Sequence, residues 1–335
     1  MFFYLLFITF FKKEINLFII FSFIFFIWRT FSSYYYSNGV LDLVNSSRIL
    51  TLILLINITI KKYPKSTLRA ISIVFSSYII LNLISYFIFP QGLYRVEGHQ
   101  LAWLLGIENQ FGFVLIPGTL LVIIYFWYEY KNVKWIPLTI ILLTVTTLLK
   151  AWSATAIVAI FFVLISLFIN LRKNIKPLYS FIRLSIIYII IWFIVVRFNS
   201  VSFFESIITD FLGKDLTFSG RTRIWDSVFE SISYSPWYGF GINSEVLGGI
   251  VTFFAAHNMI LQVILDTGFI GLILFATCVI IAGVKLQKNK NSRISVMLLI
   301  GIFGILIGGL SESYRLNYIF LLLIMSYNIK YIQRD

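Results

Sequence analysis

One cysteine and two histidines are all that 335 residues hold of the side chains best suited to soft metals and covalent bridges. A single thiol, Cys278, forms no internal disulfide, so cysteine usage is silent about redox compartment. No CxxC, HExxH, GxGxxG or Walker-type run occurs. Zinc-dependent and ATP-driven chemistry therefore have no sequence support, and no cofactor is expected. Charge is scarce too: 12% of residues are charged, about half of the roughly 25% typical of soluble domains. In its place stand 59% hydrophobic and 19% aromatic residues. The apolar runs are continuous and of spanning length, which excludes an alternating β-barrel and implies an all-α integral membrane protein. The opening run MFFYLLFITFF has no basic stretch before it and no small-residue cleavage site after it, so no cleaved signal is expected. It is also short for a full span, and whether residues 1–11 cross is left open.

Ten spans are expected, at about 15–31, 44–60, 69–89, 110–129, 135–149, 153–171, 179–197, 268–284, 294–310 and 314–330. With residues 1–11 the count is ten or eleven, and the whole of 1–335 is treated as a single polytopic membrane domain. Alternate connections carry 18 of the 27 basic residues, in FKKE, KKYPKSTLR, EYKNVK, LRKNIKPLYSFIR, KLQKNKNSR and the tail KYIQRD. Eleven of the 14 carboxylates fall on the other side. The positive-inside rule puts the basic connections and the C-terminus in the cytoplasm of a bacterial cell membrane. The net charge of +13 is thereby a topology signal, and no nucleic-acid partner is expected. Neither an internal repeat nor a low-complexity segment occurs.

One connection is long. Residues 198–266 lie outside on this assignment, and a long loop on a compact bundle usually carries function. TRIWDSVFESIS places Ile224, Trp225, Val228, Phe229 and Ile232 on one helical face, as expected of an amphipathic helix at the membrane interface. SPWYGFG follows as a turn. HNMILQVIL reads as a short helix that the Thr267–Gly268 pair breaks before the next span. His257 therefore stands outside, at a helix N-terminus beside Asn258. That position disfavours imidazolium and suits a general base, although a backbone-bonded interfacial histidine is the plainer reading. Arg221 and Arg223 form the only basic pair of an acidic loop. An arginine fork suits a phosphate, here one on a lipid or lipid-linked substrate, while pairing with Asp215 or Asp226 is the plainer account. Lys150 and Arg95 read as snorkelling anchors or as phosphate ligands. Glu312 is an acid between the last two spans, with Arg315 three residues on as a local partner.

GRTRIW, SPWYGFG and HNMILQVILDTGFIGL together resemble the O-antigen ligase and Wzy polymerase superfamily. Its members carry Arg–x–x–x–Trp, Pro–x–x–Gly–x–Gly and His–Asn–x–x–Leu elements in one long outer loop before a span. The three occur here in order between Arg221 and Gly271. An Arg–x–x–Gly stretch (Arg95 to Gly98) and Asn109 at a span start add to the likeness. The chain departs from the family where a Ser–Arg pair is common: it has Ser153 followed by Ala154, and Lys150 is the nearest base.

The resemblance implies a GT-C-like helical membrane fold and transfer of a glycan from a polyprenyl diphosphate to an acceptor hydroxyl. His257 would take the acceptor proton, and Arg221 would stabilise the departing diphosphate with help from Lys150 or Arg95. Arg223, Asn258, Trp225 and Glu312 are expected to bind substrate. The donor is already activated, so neither nucleotide nor metal is expected. Implied partners are the polyprenyl-diphosphate-linked oligosaccharide, membrane lipid, and a flippase and chain-length regulator. Polymerisation of repeat units into a capsule, exopolysaccharide or O-antigen is preferred. Ligation to lipid A core is the first alternative and polysaccharide export the second.

Overall fold

The computed structural model describes residues 1–36, 39–96, 100–172, 179–197, 217–242, 255–313 and 315–333; the side chains of 172, 197 and 217–223 fall outside the description. The described chain is helical almost throughout: α1 (Phe2–Phe11), α2 (Leu17–Tyr36), α3 (Gly39–Lys62), α4 (Pro64–Ile88), α5 (Phe111–Tyr130), α6 (Trp135–Ala151), α7 (Ala154–Arg172), α8 (Phe181–Arg197), α9 (Thr217–Tyr234), α10 (Met259–Lys288), α11 (Arg293–Gly308) and α12 (Leu316–Tyr327). A two-stranded hairpin, β1 (Tyr94–Arg95) and β2 (Leu101–Ala102), interrupts the series.

Each of the ten expected spans is a helix. Among the described residues, six helical segments combine the length and apolarity of a membrane crossing: α2, α3, α4, Glu108–Tyr130 around α5, Ala154–Leu171 within α7, and α10. The chain is thus a multi-pass membrane protein. α1 is ten residues long, about 15 Å, half of the roughly 30 Å of hydrocarbon in a bilayer. It is too short to span. A turn follows it, with Lys13 at φ 52°.

The residues group into two compact units. One comprises 56–181, 283–308 and 314–335. Its core is α5, buried along nearly all of its length among α4, α6, α7, α11 and α12. With lipid as the surrounding solvent, close packing replaces water exclusion as the force between helices. Small residues serve that end: Gly118 lies against Phe75, and Gly304 against Val163. Thr119 and Thr144 hydrogen-bond across α5 and α6 at 2.7 Å.

The other unit comprises 1–55, 182–282 and 309–313. It contains the candidate site. α9 forms as the period-3.6 pattern predicts, but its apolar face meets protein. Ile224, Trp225, Val228 and Ile232 are buried in a cluster with Val196, Phe240, Ala256, Leu261, Ile264 and Leu265. The expectation of an interfacial helix is corrected accordingly: the same apolar stripe that suits a headgroup layer is covered here by α8 and by the first turns of α10.

The break expected at Thr267–Gly268 is a kink in α10. Gly268 has φ 65° and ψ −172°, and a Cβ there would stand 2.2 Å from the Trp237 backbone. The kink disrupts the hydrogen-bond ladder of the helix, and the segment SPWYGFG supplies partners. Phe240 N–H donates to the Leu265 carbonyl at 2.8 Å and Gly241 N–H to that of Asp266 at 2.9 Å. Phe269 N–H returns a bond to Pro236 at 2.8 Å. α2 holds this junction from the other side. Trp28 Nε1 donates to the Thr267 carbonyl at 2.9 Å, and Ser33 Oγ accepts from Ile242 N–H at 3.1 Å. Ser32 Oγ lies 2.6 Å from the Tyr238 carbonyl.

Candidate active site

His257 stands two residues before the first turn of α10, and its backbone is left-handed, with φ 45°. A non-glycine residue keeps that conformation where its surroundings impose it, at a cost of about 1–3 kcal/mol. The residues on both sides are held. Ala256 is fully buried; its N–H donates to Gln262 Oε1 at 2.8 Å, and its carbonyl accepts from Trp225 Nε1 at 3.0 Å. On the other side Asn258 caps the helix. Its Oδ1 accepts from the N–H groups of Ile260 at 3.1 Å and Leu261 at 3.0 Å. Trp192 Nε1 approaches the same oxygen at 3.2 Å. A cap of this kind contributes about 1 kcal/mol.

The same residues recruit a distant segment. Asn258 Nδ2 donates to the Leu310 carbonyl at 2.9 Å, and Met259 N–H donates to that of Gly309 at 2.7 Å. Residues 309–313 are thereby fastened to the start of α10. Glu312 arrives with them, 7% exposed, with Oε2 3.5 Å from His257 Nδ1. That is ion-pair distance and longer than a hydrogen bond. Nδ1 is buried, whereas the side chain as a whole is 38% exposed. The open edge of the ring is the one away from Glu312. A carboxylate beside Nδ1 favours the proton there and leaves the Nε2 lone pair free to accept one. The arrangement suits a base with its orienting acid behind it.

The remaining expected residues divide by place. Trp225 and Asn258, expected to touch substrate, are 1% and 0% exposed and have their polar atoms engaged within the fold. Trp225 holds the peptide carbonyl just before His257, and Asn258 caps the helix just after it. Arg221 and Arg223 lie in the first turns of α9, with side chains outside the description; Arg221 is one turn before Trp225 on the same helical face. Arg95 and Lys150 belong to the other unit. Arg95 is exposed in the hairpin. Lys150, in the last turn of α6, places Nζ 3.7 Å from the centre of the Phe87 ring, the contact of an anchor at an aromatic surface.

Sequence reasoning passed over three features. Gln262 and Asp266, one turn apart on α10, are joined by a 2.8 Å bond from Nε2 to Oδ1; their i, i+4 spacing was the available signal. Arg29 of α2 and Asp42 of α3 form a buried pair at 3.1 Å, signalled by charges within apolar helices. The His257–Glu312 approach had no local signal at all.

Residues 138–276 match the model of the O-antigen ligase family. The match runs from α6 past the kink of α10 and takes in α9, the 235–242 turn and His257. No curated protein matches the chain.

Proposed function

We propose, from the premise that residues 138–276 are an O-antigen ligase family segment, that this protein polymerises polyprenyl-diphosphate-linked oligosaccharide repeat units. Members of that family transfer glycans. The observation that carries the reading is the paired His257 and Glu312, held at the start of α10 with the other ring edge open.

In the proposed reaction, the hydroxyl of an acceptor sugar attacks the anomeric carbon of the donor glycan. The bond from that carbon to the diphosphate oxygen breaks, and polyprenyl diphosphate leaves with the electron pair. His257 Nε2 takes the acceptor proton, and Glu312 at Nδ1 balances the imidazolium that results. Arg221 meets the negative charge that grows on the leaving diphosphate, and Arg223, two residues on in α9, is a candidate to share it. Arginines can neutralise such a group without a metal. A flippase would deliver the donor and a chain-length regulator would act on the product.

The purified protein should convert lipid-linked repeat units, extracted from cells that lack it, into a ladder of longer glycans, in EDTA and without added nucleotide. Release of polyprenyl diphosphate should keep pace with each added unit. A single transfer to lipid A core with no ladder would replace polymerase by ligase. The absence of both products from a folded preparation would exclude glycosyl transfer.

The site is proposed to face outward. In a Cys278→Ala background, a cysteine at Ser233, exposed on α9, should react with an impermeant maleimide in spheroplasts. A cysteine at Lys290, between α10 and α11, should react only after lysis. The reverse pattern would invert the topology.

A further inference from the structure

We infer that Gln262 is a positioning residue that sets the distance between His257 and Glu312, and that Asp266 fixes the orientation of its amide. The inference rests on the base assignment made above and deepens it.

His257 and Glu312 are 55 positions apart, and neither is held by its own side chain alone. Each is followed or preceded by a residue that reaches the same atom. Ala256, just before His257, donates its N–H to Gln262 Oε1 at 2.8 Å. Ser313, just after Glu312, donates its hydroxyl to that oxygen at 3.1 Å. One carbonyl oxygen thus joins the strand of chain that carries the base to the strand that carries its acid. The opposite end of the amide is tied as well: Nε2 donates to Asp266 Oδ1 at 2.8 Å. That bond places the NH₂ toward Asp266. Oε1 is then the atom left to face Ala256 and Ser313. Asp266 in turn is held through its backbone carbonyl, which accepts from Gly241 N–H at 2.9 Å. The left-handed backbone of His257 makes this tether consequential, since the residue leaves its sparsely populated region once the neighbouring peptide is released.

The donor and acceptor ends of this relay are interchangeable in principle, and that supplies the test. Gln262→Glu sets a second carboxyl group against Asp266 and removes the amide donor to it. Gln262→Glu combined with Asp266→Asn restores the bond in the opposite sense: the new amide at position 266 donates, the carboxylate at 262 accepts, and its second oxygen still faces Ala256 and Ser313. Net charge matches the wild type. Turnover of extracted lipid-linked repeat units would be measured for both variants and for His257→Ala, with detergent-exchanged protein checked for a single elution peak and an unchanged melting temperature. The single variant is expected to lose about 10- to 100-fold in kcat, by analogy with the loss when hydrogen-bond partners of metal-bound histidines are removed, with KM for the lipid-linked unit within about threefold. The double variant should recover to within about threefold of wild type. A role in packing alone predicts no such recovery. Wild-type kcat in Gln262→Glu beside a crippled His257→Ala would overturn the relay and leave the base standing. A double variant no better than the single would do the same. Wild-type kcat in His257→Ala would overturn both.

Discussion

Replacing His257 by alanine should slow glycan transfer by about 10²–10⁴-fold, the usual size of a general-base contribution. The donor should still bind, because its diphosphate is assigned to Arg221. Purified His257→Ala, at wild-type yield and melting temperature, should therefore accumulate single repeat units on lipid and still retain labelled donor on size exclusion. Glu312→Gln separates the two members of the pair. The amide is isosteric and leaves Nδ1 near an oxygen or a nitrogen, but it cannot balance an imidazolium. Its loss should fall between wild type and His257→Ala, and should vanish when it is added to His257→Ala, since partners acting as one unit are not additive. Long polymer at normal rate from His257→Ala would remove the base. Failure of that variant to bind donor would move His257 to the diphosphate instead.

Arg221→Lys should lose about 100-fold or more in kcat/KM although the charge is retained, a loss in the range seen when one preorganised donor to a developing oxyanion is removed. A guanidinium presents two parallel N–H groups to two phosphate oxygens, whereas an ammonium is a point charge on a flexible stem. The position of Arg221 makes this a sharp comparison. It lies one turn before Trp225, the indole of which is buried and bound to Ala256. Arg221→Lys leaves that helical turn intact, so loss of activity would not follow from loss of the α9 seat. Near-normal polymer from Arg221→Lys at equal protein level would exclude a bidentate role.

The spans were legible because hydrocarbon demands one thing of a backbone, that its polar groups be satisfied locally, and long apolar runs meet it as helices. The kink at Gly268 was legible for a similar reason: a Thr–Gly pair inside an apolar run marks a boundary. Trp225 is a different case. Its place on the apolar face of α9 already pointed inward, and the family likeness drew it toward substrate. Glu312 was hardest to read. An acid three residues before an arginine suggests a local pair, and nothing along the chain announces a histidine 55 positions earlier. That approach depends on Asn258, which spends its side chain on Ile260, Leu261 and Leu310. A helix cap is readable as a cap, but the carbonyl to which its amide NH₂ donates belongs to tertiary structure.

The dependence of the 235–242 turn on α2 bears on how such a segment is inherited. The family match begins at residue 138, yet Trp28, Ser32 and Ser33 supply the side chains that seat the turn and the kink, and Glu312 comes from beyond the C-terminal end of the match. The region that carries the family likeness is therefore no portable cassette. Moved into another bundle, it would bring its histidine without the floor beneath it or the acid behind it, and divergence within the segment is constrained by residues that no comparison of the segment alone would include.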